Sequence, residues 1–192
     1  MEVVSLIGAA VVTHGSIWIK NAGVSHLPMV KMVFNRLGVD WEVKGDDIFV
    51  PSNQRLVIEP DLGNAIPEIS VMPWPAFPTD LMSIAIVVAT QSNGTILFHD
   101  WMYPSRMFFT DKLVSMGAQI VLCDPHRCII HGSTQLYGAR LESPDIRAGM
   151  ALVLAALAAK GTSEIRNIIQ IDRGYEKIDE KLQKLGANIK RV

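Results

Sequence analysis

Three stretches of the chain repeat one order of apolar and polar positions. Each opens with a helix-length segment that is apolar on nearly every side, breaks at a glycine, and continues into a short β-branched strand. A second segment with a single apolar stripe follows, ends in Leu-Gly or Met-Gly, and leads into another strand. The first copy is VVSLIGAAVVTHGSIWIKNA with HLPMVKMVFNRLGVDWEVKGDDIFV, and the second is TDLMSIAIVVATQSNGTILFHD with PSRMFFTDKLVSMGAQIVLCDPHRCIIHG. The third is PDIRAGMALVLAALAAKGTSEIRN with RGYEKIDEKLQKLGANIKRV. The glycine closing the first helix is Gly15, Gly94 or Gly161. The one closing the second is Gly38, Gly117 or Gly186, so the separations are 23, 23 and 25 residues. A single domain, 1–192, built from three units over approximately 1–53, 76–132 and 143–192 is the organisation this predicts.

The same pattern sorts the helices. A helix that is apolar all round is buried on most sides, whereas one with a single stripe is half exposed. The last unit shows such a stripe, with Ile178, Leu182 and Leu185 set against Lys177, Glu180, Lys181 and Lys184. Three buried helices enclosed by sheets and by more solvated helices follow, an α+β fold. All six glycines are expected in the left-handed conformation that ends a helix.

Composition narrows the function classes. With 49% hydrophobic and 19% charged residues, the chain can bury a large core, and disorder is excluded. A net charge of -1 without a basic stripe gives nucleic-acid binding no electrostatic footing. The richest apolar run, Ala148 to Ala159, falls short of the roughly 20 residues that cross a bilayer. Residues 1–13 lack a basic start, and Glu2 argues against an export signal. Two cysteines give no disulfide framework. The expectation is a cytoplasmic globular protein that binds neither membrane nor nucleic acid.

The scaffold repeats, but the charges do not, and candidate chemistry lies where the copies differ. In the second copy the first helix opens Pro78-Thr79-Asp80; in the third it opens Ser143-Pro144-Asp145-Ile146-Arg147. Thr79 and Ser143 fit N-caps, Pro144 fits the first helical position, and Asp80 and Asp145 suit the positive end of the helix dipole. Capping alone accounts for both aspartates. The arginines break the rule: Arg106 and Arg173 are expected at the starts of second helices and Arg147 in the first turn of a first helix. Cations there are disfavoured, by about 0.3–1 kcal/mol each. Three such departures suit an anion site, since helix N-termini offer N–H donors and guanidinium groups grip phosphate or carboxylate. Surface ion pairs are the competing explanation. Cys123, His126, Cys128 and His131 match no common zinc spacing, so no metal is expected.

The strings PWPAFPTDLMS, PSRMFFTDKLVSMGA, SPDIRAGMALVLAALAAKGTSEIRN and IDRGYEKIDEKLQKLGANIKRV resemble the UDP-N-acetylglucosamine 1-carboxyvinyltransferase family of enolpyruvyl transferases. The likeness runs over the whole chain and is strongest from Phe77 onward. It implies one domain of a two-domain enzyme, an inside-out α/β barrel of three units, with the site between the domains. It implies transfer of the enolpyruvyl group of phosphoenolpyruvate to the 3′-hydroxyl of UDP-N-acetylglucosamine with release of phosphate, toward peptidoglycan, and no cofactor. By the same likeness Asp80 contacts the attacking hydroxyl, and Asp145 lies close to the reacting carbon. Arg106, Arg147 and Arg173 line the phosphoenolpyruvate and diphosphate region, with Thr79 and the backbone around Met102 near the sugar and diphosphate. A helix N-terminus and arginines nearby weaken an aspartate as a base, so Asp80 is expected mainly to orient the hydroxyl.

The family's mobile loop with its cysteine, a lysine–asparagine pair and a further loop arginine belong to the other domain. None has a counterpart here, and the strand preceding the first helix is missing. The chain is therefore expected to be inactive alone and to need the N-terminal domain as partner, with self-association through the exposed domain face left open. Two other readings stand beside this: a non-catalytic binding or assembly module, and a transferase with another acceptor such as shikimate 3-phosphate. The DIRAG and IDRGYE strings favour the nucleotide sugar.

Overall fold

Glycine and β-branched residues divide the apolar sequence into short elements, and the computed structural model describes them over all of residues 1–192. The first group is α1 (Glu2–Val12), β1 (Ile17–Ile19), α2 (Pro28–Arg36), β2 (Glu42–Lys44) and β3 (Asp47–Val50). The second is β4 (Glu68–Ser70), α3 (Met82–Gln91), β5 (Gly94–His99), α4 (Thr110–Ser115), β6 (Gln119–Asp124) and β7 (Arg127–Gly132). The third is β8 (Arg140–Glu142), α5 (Ile146–Ala158), β9 (Glu164–Arg166), α6 (Ile169–Asp172) and α7 (Ile178–Lys184). Short 3₁₀ turns lie at Val24–His26, Leu62–Asn64 and Thr79–Leu81.

Helices α1, α3 and α5 pack against one another pairwise and form the centre of one continuous hydrophobic core. Their sequences carry small residues where the three axes approach. Gly8 is the tightest place, because a Cβ there would stand 2.6 Å from Leu154 Cδ2 and 2.9 Å from Ile84 Cγ2. One glycine thus sets how closely the first helix seats against the other two. No helix is long and apolar enough to cross a membrane.

Three separate sheets surround the helices. β1, β3 and β2 are antiparallel in that order, and the second sheet runs β4-β5-β7-β6. β5 pairs antiparallel with β7 from Gly94↔Gly132 to His99↔Arg127. β4 pairs parallel with β5, and β8 with β9. Each parallel pair brackets a buried helix, α3 or α5, so the helix is the crossover that parallel strands require.

Two local expectations need correction. Five of the six unit glycines, at 38, 94, 117, 161 and 186, have positive φ, but Gly15 does not. His14 takes the left-handed place instead, with φ 53°, while Gly15 N–H caps Ala10 O at 2.8 Å. Gly38 is the most constrained of the others: at φ 78° a side chain would run into the backbone of Leu56 and Val57. In α7, Ile178 and Leu182 are buried but Leu185 is 56% exposed, because the helix ends at Lys184 and the stripe turns away with it.

Candidate active-site cleft at two helix N-termini

The N-terminal ends of α3 and α5 lie side by side, and Thr79, Arg106, Asp145 and Arg147 gather there, with Asp80 held by Arg147. Asp145 is the N-cap of α5, in extended conformation, and its Oδ1 accepts from Arg147 N–H at 2.7 Å and Ala148 N–H at 3.1 Å. Ser143 is therefore not the cap. It is fully buried and donates to Asp145 O at 3.1 Å, which leaves Pro144 ahead of the helix rather than in its first turn. Arg147 reaches across from α5 to Asp80, donating from Nε to Oδ1. The pair is partly exposed, at 30% and 40%, so it is a positioned ion pair at the cleft rather than a buried stabilising one. Only Oδ1 of Asp80 is engaged, which leaves Oδ2 without a protein partner.

Thr79 is not a helix cap either. Its hydroxyl donates to Asp100 Oδ2, and the 3₁₀ turn starts from Pro78. Asp100 is a cleft-lining residue that the sequence pattern did not mark. It is fully buried at the end of β5, where its side chain also accepts from Met102 N–H at 3.1 Å and Tyr103 N–H at 3.2 Å. Its main chain pairs with His126: Asp100 N–H donates to His126 O at 2.8 Å, and His126 Nδ1 donates to Asp100 O at 2.6 Å. The available signal was an acidic residue closing an apolar strand, TILFHD, where a solvated turn would otherwise begin.

Arg106 lies in the turn that Asp100 anchors, four residues before α4, and so is not at a helix start as expected. Its guanidinium stacks over Tyr103, 4.9 Å from the ring centroid, and it has no carboxylate partner. Arg173 also departs from expectation. It follows α6 rather than opening the next helix, because α7 begins only at Ile178. Its Nη1 donates to Gln170 Oε1 at 3.0 Å, and it is exposed. The neighbouring Gly174 packs on Ile146, where a Cβ would meet Cγ2 at 2.7 Å. This holds the Arg173 turn against the first residue of α5.

The cleft is narrow and is lined by Thr79, Met82, Ser83, Asp100, Arg106, Phe109, Asp145, Arg147 and Ala148. Beneath it Tyr175 is buried and shares a 2.8 Å hydrogen bond with Ser5 of α1. Burial pushes the Tyr175 phenol up, against the opposing effect of its hydrogen bond with Ser5. A larger open cavity of about 570 Å³ lies at the opposite ends of the three buried helices, lined by His14, Gln91, Thr134 and Lys160 among others. Helix C-termini present carbonyl oxygens there and disfavour an anion, so the smaller cleft suits negatively charged ligands better. Cys123, His126, Cys128 and His131 have separate occupations. Cys123 is exposed, and Cys128 is buried with its thiol pushed up to about 12 by desolvation. His131 Nδ1 pairs with Thr95 Oγ1 at 2.8 Å.

Two helix ends, two aspartates and two arginines thus face one cleft on a mixed α+β domain. Residues 2–182 match the family model for EPSP synthase (3-phosphoshikimate 1-carboxyvinyltransferase), and the chain belongs to that family. Among its relatives, the UDP-N-acetylglucosamine 1-carboxyvinyltransferase of Bradyrhizobium diazoefficiens is 59% identical over 192 residues, which are all of this chain and 44% of that protein. The enzyme of the same name from Borrelia garinii subsp. bavariensis is 52% identical, again over the whole chain and 45% of the relative. The crystal structure of the enolpyruvyl transferase NikO from Streptomyces tendae superposes with a TM-score of 0.86 at 25% identity, covering 100% of this chain and 43% of that one. EPSP synthase from Acinetobacter baumannii shares the fold, with a TM-score of 0.72 at 18% identity, over 100% of this chain and 46% of that one. The chain therefore spans less than half the length of the relatives it matches.

Proposed function

We propose that this chain is the carboxylate- and arginine-bearing half of a cytoplasmic enolpyruvyl transferase that uses phosphoenolpyruvate and UDP-N-acetylglucosamine. In this reading its three units, about 1–53, 76–132 and 143–192, close as an inside-out barrel, and a second domain supplies the remainder of the site. The observation that carries it is the cleft at the N-terminal ends of α3 and α5. There the Asp80–Arg147 pair, the Asp145 cap and the carboxylate-free Arg106 face one space. The identity of 59% to a transferase of that name favours the nucleotide sugar as acceptor.

The chemistry assigns each group a task. The acceptor hydroxyl adds to C2 of phosphoenolpyruvate while a proton goes to C3; a C3 proton then leaves as the C2–O bond to phosphate breaks. Arg106, Arg147 and Arg173 hold the anionic groups, and the exposed helix N–H donors add to that field. The free Oδ2 of Asp80 accepts from the sugar hydroxyl and orients it, and Asp145 lies beside the reacting carbon. Thr79 stands near the sugar. Met102 N–H is already used by Asp100, so its carbonyl is the backbone group left to meet the nucleotide sugar.

The test is phosphate release from phosphoenolpyruvate plus UDP-N-acetylglucosamine, measured for the purified chain alone and mixed with the remaining half of the Bradyrhizobium diazoefficiens relative. We expect no turnover alone, and turnover on mixing that is lost in Asp80→Asn. Turnover by the chain alone, or on mixing with shikimate 3-phosphate in preference to the nucleotide sugar, overturns the reading.

A further inference from the structure

Buried side-chain polar atoms in this chain have hydrogen-bond partners, with one exception, Ser83 Oγ. Ser83 stands in the first turn of α3, 7% exposed, and lines the cleft together with Arg106, Asp145 and Arg147. Other helical hydroxyls here donate to the preceding turn, as Thr13 does to Ala9 O at 2.7 Å and Thr90 to Val87 O at 2.7 Å. Ser83 does not. A buried hydroxyl without a partner is unfavourable, and in a native fold it calls for a ligand or a water to complete it. Arg106, also facing the cleft and partly exposed, stacks on Tyr103 and meets no carboxylate. A hydroxyl donor and a guanidinium left open toward one cleft match the acceptor-rich surface of a tetrahedral oxyanion.

We infer that Ser83 is a ligand-binding residue whose hydroxyl donates to a phosphoryl oxygen held by Arg106 and Arg147. The inference rests on the reading of the cleft as an anion site and adds to it a neutral donor on the α3 wall. It also carries a signature that a structural serine lacks. Alanine at 83 removes the orphan hydroxyl, so the free protein keeps or gains stability while the ligand loses a hydrogen bond.

The experiment is a ¹H–¹⁵N NMR titration of the full chain with inorganic phosphate, beside thermal melts, for wild type, Ser83→Ala and Arg106→Ala. We expect phosphate to shift amides at the starts of α3 and α5 and Ser83→Ala to weaken binding about fivefold, the size of one hydrogen bond. Its Tm should be unchanged or higher, and Arg106→Ala should bind more weakly still. Unchanged affinity in Ser83→Ala while Arg106→Ala loses binding overturns the role of Ser83 alone. A lowered Tm with unchanged affinity does the same, by showing a structural serine. Failure of phosphate to shift any cleft amide in wild type overturns the anion reading and the role of Ser83 together.

Discussion

Replacing Asp100 with alanine probes the group on which one wall of the cleft is hung. The carboxylate is fully buried and accepts three hydrogen bonds, from Thr79 Oγ1, Met102 N–H and Tyr103 N–H. Hydrogen bonds to a charged acceptor contribute about 1.5–3 kcal/mol each when the partner is left buried. Thr79 and Met102 are only half-buried and Tyr103 is exposed, so all three donors regain water in part. The total for Asp100→Ala is therefore about 3 kcal/mol rather than the sum of three full terms. Asp100→Asn keeps the shape and one carbonyl oxygen for the two backbone donors, while Thr79 can turn its hydroxyl to accept, so about 1 kcal/mol is expected. The main-chain bonds between Asp100 and His126 are untouched by either change, which confines the effect to the turn carrying Arg106. Urea unfolding followed by circular dichroism reads the midpoint, and an unchanged slope licenses the comparison. The reasoning is refuted if Asp100→Ala lies within about 0.5 kcal/mol of wild type, the range of ordinary surface changes, or if Asn and Ala cost the same.

Two further outcomes follow from packing and charge. Gly8→Ala gains helix propensity of about 1 kcal/mol but overpacks against buried Leu154 and Ile84, so a net loss of about 1–2 kcal/mol in urea unfolding is expected; a stabilised variant would show that the three helices can part. Arg191 donates to both Asp172 and Asp179, and these hydrogen bonds hold each carboxyl below its ordinary 3.8. A depressed carboxyl stabilises the fold above its unfolded value and loses that contribution as pH falls through the folded one. The stability gap between wild type and Arg191→Gln, from urea midpoints, should thus be constant from pH 7 to about 5 and close below about 4; a gap that widens on acidification contradicts the assignment.

What the sequence disclosed depended on the range of the interaction. Helix and strand identities are set by local periodicity, and the buried helices α1, α3 and α5 were legible because they are apolar on every side. Their mutual packing was not, since Gly8 meets Leu154 and Ile84 across 146 and 76 positions of chain. Cap assignments failed by one or two residues. Ser143 and Asp145 both carry an acceptor oxygen, and only the backbone at 145, extended there, decides which meets the free N–H groups. The arginines were found for a reason that holds in one case only. Arg147 does lie in a helix first turn, but Arg106 and Arg173 sit in turns whose ends the sequence pattern did not mark. Asp100 stayed hidden because an aspartate after a strand ordinarily faces water, and its burial is produced by Thr79, 21 residues earlier, and by His126, 26 later.

The hydrogen-bond state of the cleft groups separates framework from working residues. Asp100 meets three donors, and Oδ1 of Asp145 meets two backbone N–H groups. Asp100 is thus satisfied before any ligand arrives and holds geometry, whereas Asp145 caps α5 with Oδ1 and keeps Oδ2 without a protein partner. Ser83 Oγ and the guanidinium of Arg106 stand in the opposite condition on the cleft wall, and Oδ2 of Asp80 is open beyond the ion pair to Arg147. That set matches a ligand offering both an oxyanion and a hydroxyl, the two groups an enolpyruvyl transfer brings together. A binding module for a bare anion would have no use for the open acceptor on Asp80. A fold kept only as a scaffold would have no use for any of the three, and alanine at position 83 would suit its core better.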